Sequence, residues 1–363
     1  MAGNYSLQSV WSFVRSKKLA AVMILILTLV SAAGMVIQQA NIFQTPWFTA
    51  IGIIFLINLT ACTVQQLINC FRLVGKKPVL DNGRNSFRVK GTWRLWGSGI
   101  FHIGLIIIVV GSLVSGSAKM AGQIKLAEGE ERYELHHNYD SIHEGPFFRE
   151  RRHRGFGLRL SSQEVIPDEN GNIDAIFSHL AILENGYVVR QEAMSQKEPM
   201  VYRGIRIYQG QAGFAPLIEI SRSGNKALVS TYLLLESRKT GGKTEFGFDG
   251  FTVPGTPYSL NIRFYPDMVQ QGAEITTEKY ILSNPAAVIT VTDGAEIIAR
   301  EVVRSGGFME FAGYRVKMGD IRHWNAFDLV NDLGANFVFA GLWVALAGLV
   351  IMYLPAYKKA RQK

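Results

Sequence analysis

Four stretches of this 363-residue chain run without a charged side chain for the length of a bilayer crossing, which rules out a single soluble globule. They are Leu19–Ile37, Gln38–Phe71 with a dense apolar core at Trp47–Val64, Leu95–Ala118 and Gly334–Tyr357. An α-helix needs about 20 apolar residues to cross the hydrocarbon layer, and inside that layer only a helix or a closed barrel satisfies its own backbone. The sequence therefore predicts an integral membrane protein with four transmembrane α-helices, three before and one after a long polar stretch. The spans are placed at 19–37, 47–71, 95–118 and 334–357. Ser31, Ala32 and Ala33 resemble a signal-peptide cleavage site, but the apolar run is long and leads straight into a second span, so the first span is read as retained.

Lysine and arginine fix the expected sidedness. Arg15, Lys17 and Lys18 precede the first span; Arg72, Lys76, Lys77, Arg84, Arg88, Lys90 and Arg94 lie between the second and third; Lys358, Lys359, Arg361 and Lys363 follow the fourth. The Gln38–Pro46 connection has none. A cytoplasmic N-terminus at 1–18, a basic cytoplasmic loop at 72–94 and a cytoplasmic tail at 358–363 follow, with residues 119–333 outside. These cytoplasmic pieces hold 14 basic residues and one acid, Asp81, leaving 24 basic and 28 acidic residues for the rest. The net charge of +9 thus divides into a strongly basic membrane face and an outer domain of −4. It reports topology and anionic lipid, not nucleic acid.

Cys62 and Cys70 are eight positions apart on the second span, about 12 Å along a helix, too far for a disulfide. The outer stretch has no cysteine, and C-x-x-C-H is absent, so the chain is not itself a c-type cytochrome. From Gly155 onward short runs alternate apolar and polar: Phe156–Ser161, Ala181–Leu183, Tyr187–Val189, Ile205–Tyr208, Leu217–Ile220 and Ala227–Leu235. Turn pairs separate them at Asn170-Gly171, Asn185-Gly186, Ser223-Gly224, Gly241-Gly242 and Asp293-Gly294. Asn185-Gly186 is a type I′ hairpin signal. The style repeats over Phe251–Phe264 and Ala286–Val316, so residues 119–333 are expected to form a large β-rich extracytoplasmic domain, sandwich-like in architecture.

One of the seven histidines, His102, lies inside the third span. An imidazole in hydrocarbon is costly and calls for a partner, so His102 either packs helices through a hydrogen bond or ligates a metal centre. The other spans carry no histidine, so a bis-imidazole centre would need a second protein. Haem suits the ligand reading: an apolar macrocycle, an iron that takes neutral imidazole, and propionates that Arg94, Arg88 or Lys90 would meet at the interface. His136, His137 and His143 cluster with Asp140 and Glu144, and His153 follows among arginines. That spacing matches no established metal-ligand pattern and reads as a solvated loop, so no metal besides haem iron is expected. His143 and His323, the latter beside Trp324, are weaker site candidates; His179 reads as surface. No nucleophile elbow, phosphate loop or paired carboxylate is present, which argues against an enzyme acting alone.

Three spans, a long β-rich outer domain and one closing span resemble the ResB family of Ccs-type, System II cytochrome c biogenesis proteins. The resemblance rests on Arg15–Ile37, Phe101-His102-Ile103-Gly104, the hairpin Leu180–Arg190, Tyr202–Gln209 and Asn331-Asp332-Leu333-Gly334. Where the family often has Asp-Pro-Gly before its last helix, this chain has Asp332-Leu333-Gly334, and it is short for the family. The resemblance implies a multi-pass protein of the bacterial cytoplasmic membrane that works with a ResC/CcsA-type partner. Together the two would form a cytochrome c synthase that exports haem and delivers it to apocytochrome c for thioether attachment. It further implies that His102 is the axial ligand of a haem b shared with the partner. The rival expectation is a haem-independent, membrane-anchored adaptor or sensor; a transporter acting alone is disfavoured by four spans without inverted repeats.

Overall fold

The computed structural model describes residues 11–36, 45–74, 86–169, 173–222, 226–240, 243–272 and 274–360. The chain divides into two compact units: a helical one, 1–120 with 144–149 and 331–363, and a β-rich one, 121–143 with 150–330.

The helical unit contains α1 (Lys17–Val36), α2 (Pro46–Val74), α3 (Ser86–Ala118) and α4 (Leu333–Ala360). Three of these hold stretches long and apolar enough to cross a membrane: Pro46–Arg72, Trp93–Ala118 and Leu333–Tyr353. The described apolar part of α1, Lys18–Gly34, is shorter, about 25 Å at 1.5 Å per residue. Charge ends the apolar stretches but does not end the helices. The segment 72–94, read from sequence as a loop, is helical at both ends, because α2 runs on to Val74 and α3 already starts at Ser86.

Helices α3 and α4 meet along a seam of glycines. Gly97, Gly104 and Gly111 recur every seven residues on α3, and Gly334, Gly341 and Gly348 do so on α4. The helices are antiparallel, so the two rows pair in reverse order. A Cβ on Gly97 would lie 2.8 Å from the Gly348 carbonyl oxygen, one on Gly341 2.8 Å from that of Gly104, and one on Gly111 2.9 Å from that of Gly334. Without side chains between them the backbones approach closely, which replaces the hydrophobic drive that lipid cannot supply. On another face of α3, Leu105, Ile106 and Val109 pack against a core of Met23, Phe55 and Leu59 from α1 and α2.

Asp332 starts α4. Its Oδ1 accepts from the Ala335 amide (3.1 Å), an N-cap, and its Oδ2 accepts from the Ser115 hydroxyl of α3 (2.7 Å). Leu333 therefore occupies the first helical position, where an amide lacks an intrahelical partner in any case and where proline is favoured. The departure from Asp-Pro-Gly leaves this cap intact.

The β-rich unit is a sandwich. A seven-stranded sheet runs Ser141–Glu144, Met120–Ala127, Tyr314–Asn331, Ile205–Arg222, Met200–Tyr202, with Phe308–Phe311 beside Tyr314–Asn331 and Lys226–Tyr232 beside Ile205–Arg222. A five-stranded sheet runs Glu236–Thr240, Lys243–Thr252, Tyr258–Tyr265, Ala286–Asp293, Glu296–Arg304. Phe214, Ile218, Ile220, Val316 and Met318 of the first form one buried cluster with Phe246, Leu260, Ile262, Phe264, Ile289 and Val291 of the second. A four-stranded sheet, Glu131–Tyr133, Gly157–Pro167, Ile173–Glu184 and Tyr187–Met194, joins the long strands through Asn325 Nδ2 donating to Ser178 Oγ at 2.9 Å. Its last hairpin turns at Asn185 (φ 51°) and Gly186 (φ 82°), the paired positive φ of a type I′ turn. Of the other turn pairs, Asn170-Gly171, Ser223-Gly224 and Gly241-Gly242 lie outside the described residues.

Candidate functional site

His102 is the seventeenth residue of the 33-residue α3 and is half-buried. Its Nδ1 is 2.7 Å from the Ser98 carbonyl oxygen one turn back. A carbonyl only accepts, so Nδ1 is the donor in this bond, and Nε2 is the nitrogen that it leaves over. Among the described residues this bond to its own helix is the hydrogen bond that the ring makes. Bonding one nitrogen to a backbone carbonyl is the device that fixes ring orientation and tautomer in histidine metal ligands.

Which face the ring occupies follows from the helix. At 100° per residue His102 lies about 160° round from Gly104, and only about 20° from Val109 and 40° from Ile106. The glycine seam and the imidazole thus use opposite faces of α3. Gly99, about 60° from His102, meets α2, since a Cβ there would lie 3.3 Å from Leu67 Cδ2. At the other end of the same contact Gly52 faces Leu113. The antiparallel register these contacts set puts His102 level with Thr63 and Val64. Thr63 is buried, with its hydroxyl donating to its own helix's Leu59 carbonyl (2.7 Å), so it does not compete for the ring.

At that level α1 begins. Asn58 Nδ2 donates to the Val14 carbonyl and, at 3.4 Å, to that of Ser16; Cys62 Sγ bonds the Arg15 carbonyl (3.3 Å); Arg15 Nη1 donates to Gln65 Oε1 (3.0 Å). Asn58, Cys62 and Gln65 share a face at helical spacing, so one stripe of α2 holds the turn at Arg15 and Ser16, just before α1, in place. Sequence reading used the two cysteines only to exclude a disulfide and overlooked this stripe. Likewise it passed over the seven-residue glycine spacing, whose signal was present in both spans.

The remaining candidates fall elsewhere. Arg94 is exposed on α3, eight residues before His102, about 12 Å along the axis. The backbone of Arg88 and Lys90 belongs to α3, but their side chains lie outside the described residues. His143 is exposed on the strand Ser141–Glu144. His323 lies in the strand Tyr314–Asn331, opposite Phe214, with ring centroids 5.4 Å apart. It is fastened to Glu128: the His323 amide donates to Glu128 Oε2 (3.1 Å), the Glu128 amide to the His323 carbonyl (2.9 Å), and Nδ1 is 3.6 Å from Oε2. Burial alone would raise the Glu128 pKa. The His323 ring and amide, the Gln163 amide and the charge of His323 together outweigh it and hold the carboxyl below its usual value. His323 therefore has a local structural partner. His179 is half-buried in the strand Ile173–Glu184 rather than on the surface.

Residues 81–359 match the ResB-like family, most of the chain, and the protein belongs to that family. Similar proteins include "Cytochrome c biogenesis protein Ccs1" of Rhodomonas salina, 22% identical over 405 aligned positions that cover 93% of this chain and 86% of that protein. "Cytochrome c biogenesis protein CcsB" of Thermosynechococcus vestitus is 20% identical, covering 93% and 85%, and that of Nostoc is 19% identical, covering 88% and 71%.

Proposed function

We propose that this ResB-like protein is a membrane subunit of the System II cytochrome c biogenesis machinery, and that His102 is its axial ligand to a haem b shared with a ResC/CcsA-type partner. The observation that carries this reading is the state of one imidazole. His102 sits in a membrane-length helix, its Nδ1 proton is spent on the Ser98 carbonyl, and its Nε2 lone pair is left for a ligand. An imidazole retained for packing would be expected to bond a neighbouring helix instead.

The donor set fits a shared haem. Neutral imidazole is what haem iron takes, Gly99 keeps the neighbouring position on that face small, and Arg94, Arg88 and Lys90 supply cations for propionates toward the basic end of α3. When bound, haem supplies the vinyl groups that a c-type cytochrome's cysteines capture as thioethers. The chain's own part is to orient the ring through Ser98 and to hold α3 against α4 by the glycine seam. A lone imidazole on this subunit needs a second from the partner, and the partner would complete the synthase. By the positive-inside rule both termini lie in the cytoplasm of a bacterial inner membrane, which places the β-rich unit outside to receive apocytochrome c.

The test is co-expression with the partner. The purified pair is expected to show a Soret band that falls several-fold in His102→Ala and returns with added imidazole, while the variant still assembles. An unchanged Soret band, with cytochromes matured normally, overturns the haem role and leaves a haem-independent adaptor or sensor.

A further inference from the structure

Where the strand Lys226–Tyr232 runs on into Glu236–Thr240, the chain passes from the seven-stranded sheet to the five-stranded one. The amides of Leu233 and Leu235 still donate to the Pro216 and Phe214 carbonyls of the long strand Ile205–Arg222, each at 3.0 Å. Beyond Leu235 the two part, and Glu236–Thr240 becomes an edge, paired on one side with Lys243–Thr252. A second edge lies open beside it. Ile173–Glu184 pairs along its length with Gly157–Pro167, but Tyr187–Met194 reaches only as far as Ser178, so among the described residues no strand covers that side of 173–177. Between the two edges is a cleft of about 780 Å³, all of whose lining residues belong to the β-rich unit. That volume is in the range of ligand sites.

Side chains that imitate a peptide group hold both edges. Gln209 and Gln211 of the strand Ile205–Arg222 donate from Nε2, the first to the Ile176 carbonyl at 3.1 Å and the second to the Ser237 carbonyl at 3.3 Å. The strand bulges there: Ala212 stands opposite Asn325 and Gln209 opposite Phe327, which leaves Gly210 and Gln211 facing one residue. Gln209 is 6% exposed, and its Oε1 is buried without a donor among the described residues. An unmet buried acceptor costs about 1–3 kcal/mol, so sheet packing gains nothing from that oxygen. Charge is scarce in the lining. Asp174 and Lys197 offset each other, and the rest is apolar or neutral, as Phe177, Ala212, Phe246 and Thr244 are.

We propose that this cleft takes an extended polypeptide segment as an added strand; resting on the function proposed above, the segment is the haem-attachment stretch of unfolded apocytochrome c. Each edge offers a row of backbone donors and acceptors, and five residues make about 17 Å of strand. An extended chain is the ligand whose own backbone answers such a row. A compact anion would need more cations than Lys197, and a lipid tail would need a lining without the amides and hydroxyls found here. An open edge invites aggregation and is ordinarily covered. Here the cover is two side chains, which swing aside where a paired strand would not. The guest's amides then take the Ile176 and Ser237 carbonyls from Gln209 and Gln211. Main-chain bonds supply affinity while leaving the guest's side chains free, as a site for the unfolded form of a protein requires.

Full-length protein in detergent, without partner or haem, is titrated with a fluorescent synthetic peptide that carries C-x-x-C-H with its cysteines blocked, and binding is read by anisotropy. Saturable binding is expected, with new protection from hydrogen–deuterium exchange at 173–177 and Glu236–Thr240. Peptides N-methylated at alternate residues, made in both phases, lose the donors that face one edge or the other. At least one phase is expected to bind at least ten-fold more weakly. Ala212→Trp, which fills the floor of the cleft, is expected to weaken binding at least ten-fold at an unchanged Tm; if it does not fold, the methylated peptides decide. Protection at neither edge overturns the proposal, as do parent-like binding by both methylated peptides or by folded Ala212→Trp, and no binding at millimolar peptide. The outcome is independent of His102. Edge protection with an unchanged Soret band in His102→Ala removes the haem role alone, whereas a lost Soret band without edge protection removes the cleft alone.

Discussion

His102 in α3 and His153 in the β-rich unit show two ways of keeping an imidazole out of water. His102 makes one bond, to a carbonyl of its own helix. His153, its side chain 3% exposed, is paired with the buried carboxylate of Glu134, which gathers backbone amides as well. The difference follows from what each backbone has to spare. A helix interior spends its amides on itself, so several hydroxyls in the helical unit also turn to carbonyls one turn back, as those of Thr63, Ser112 and Ser117 do. A loop between strands has amides unclaimed by a ladder, and these can hold a charge in a dry place. Charge is thus buried where loops supply donors and avoided where they do not.

The sharpest way to break this contrast is to remove the carboxylate. Glu134→Ala leaves the His153 ring, the Tyr139 hydroxyl and two amides without their acceptor, and breaking a buried pair from one side costs about 3–5 kcal/mol. Thermal unfolding of the purified chain is expected to show that loss, and a cost below about 1 kcal/mol would mean water replaces the carboxylate. In the helical unit the comparable lesion adds atoms. Gly104→Val drives a branched side chain into the Ala345 backbone, with an expected cost of about 1–3 kcal/mol and a lower yield of folded protein in detergent. Gly99→Ala, which meets only the end of the flexible Leu67 side chain, should be nearly silent; equal effects at the two sites would sink the account of a backbone seam.

Asp332→Ala, which removes the cap of α4 and its bond to Ser115, is expected to cost about 1 kcal/mol, and Asp332→Asn to recover most of it. A subtler effect concerns acid. Glu128 has a folded-state pKa below its unfolded value, so its contribution is fully present above the unfolded carboxylate range and is lost as the pH falls through the lower folded value. Denaturant midpoints measured from pH 7 down to pH 3 should fall less steeply in Glu128→Gln than in the parent. Smallest of all is His102→Ala, whose stability is expected to match the parent within about 0.5 kcal/mol; a larger loss would make that ring a packing residue.

Much of the helical unit is legible from the chain alone, because hydrocarbon punishes charge so severely that its absence over a crossing length admits few alternatives. The Asn185-Gly186 hairpin is legible for a similar reason, since few residues tolerate two successive positive φ values. The span at Leu95–Ala118 and the solitary His102 within it stand out at once. What its two nitrogens do is less visible, although Ser98 lies one turn back. The 72–94 segment misleads because charge marks the edge of the hydrocarbon and not the end of a helix. Glu134 and His153 are 19 positions apart and read separately as ordinary loop residues.

By itself, the order of apolar and charged residues marked the three helices long and apolar enough to cross a membrane and the alternating runs that build strands, because transfer from water and local backbone preference act residue by residue. Only the folded molecule decided that Gly97, Gly104 and Gly111 meet Gly348, Gly341 and Gly334, that His102 faces away from that seam, and that Glu134 lies dry beneath His153. Close approach and the matching of donors to acceptors depend on distances between residues remote in sequence, and those distances exist only once the chain has packed.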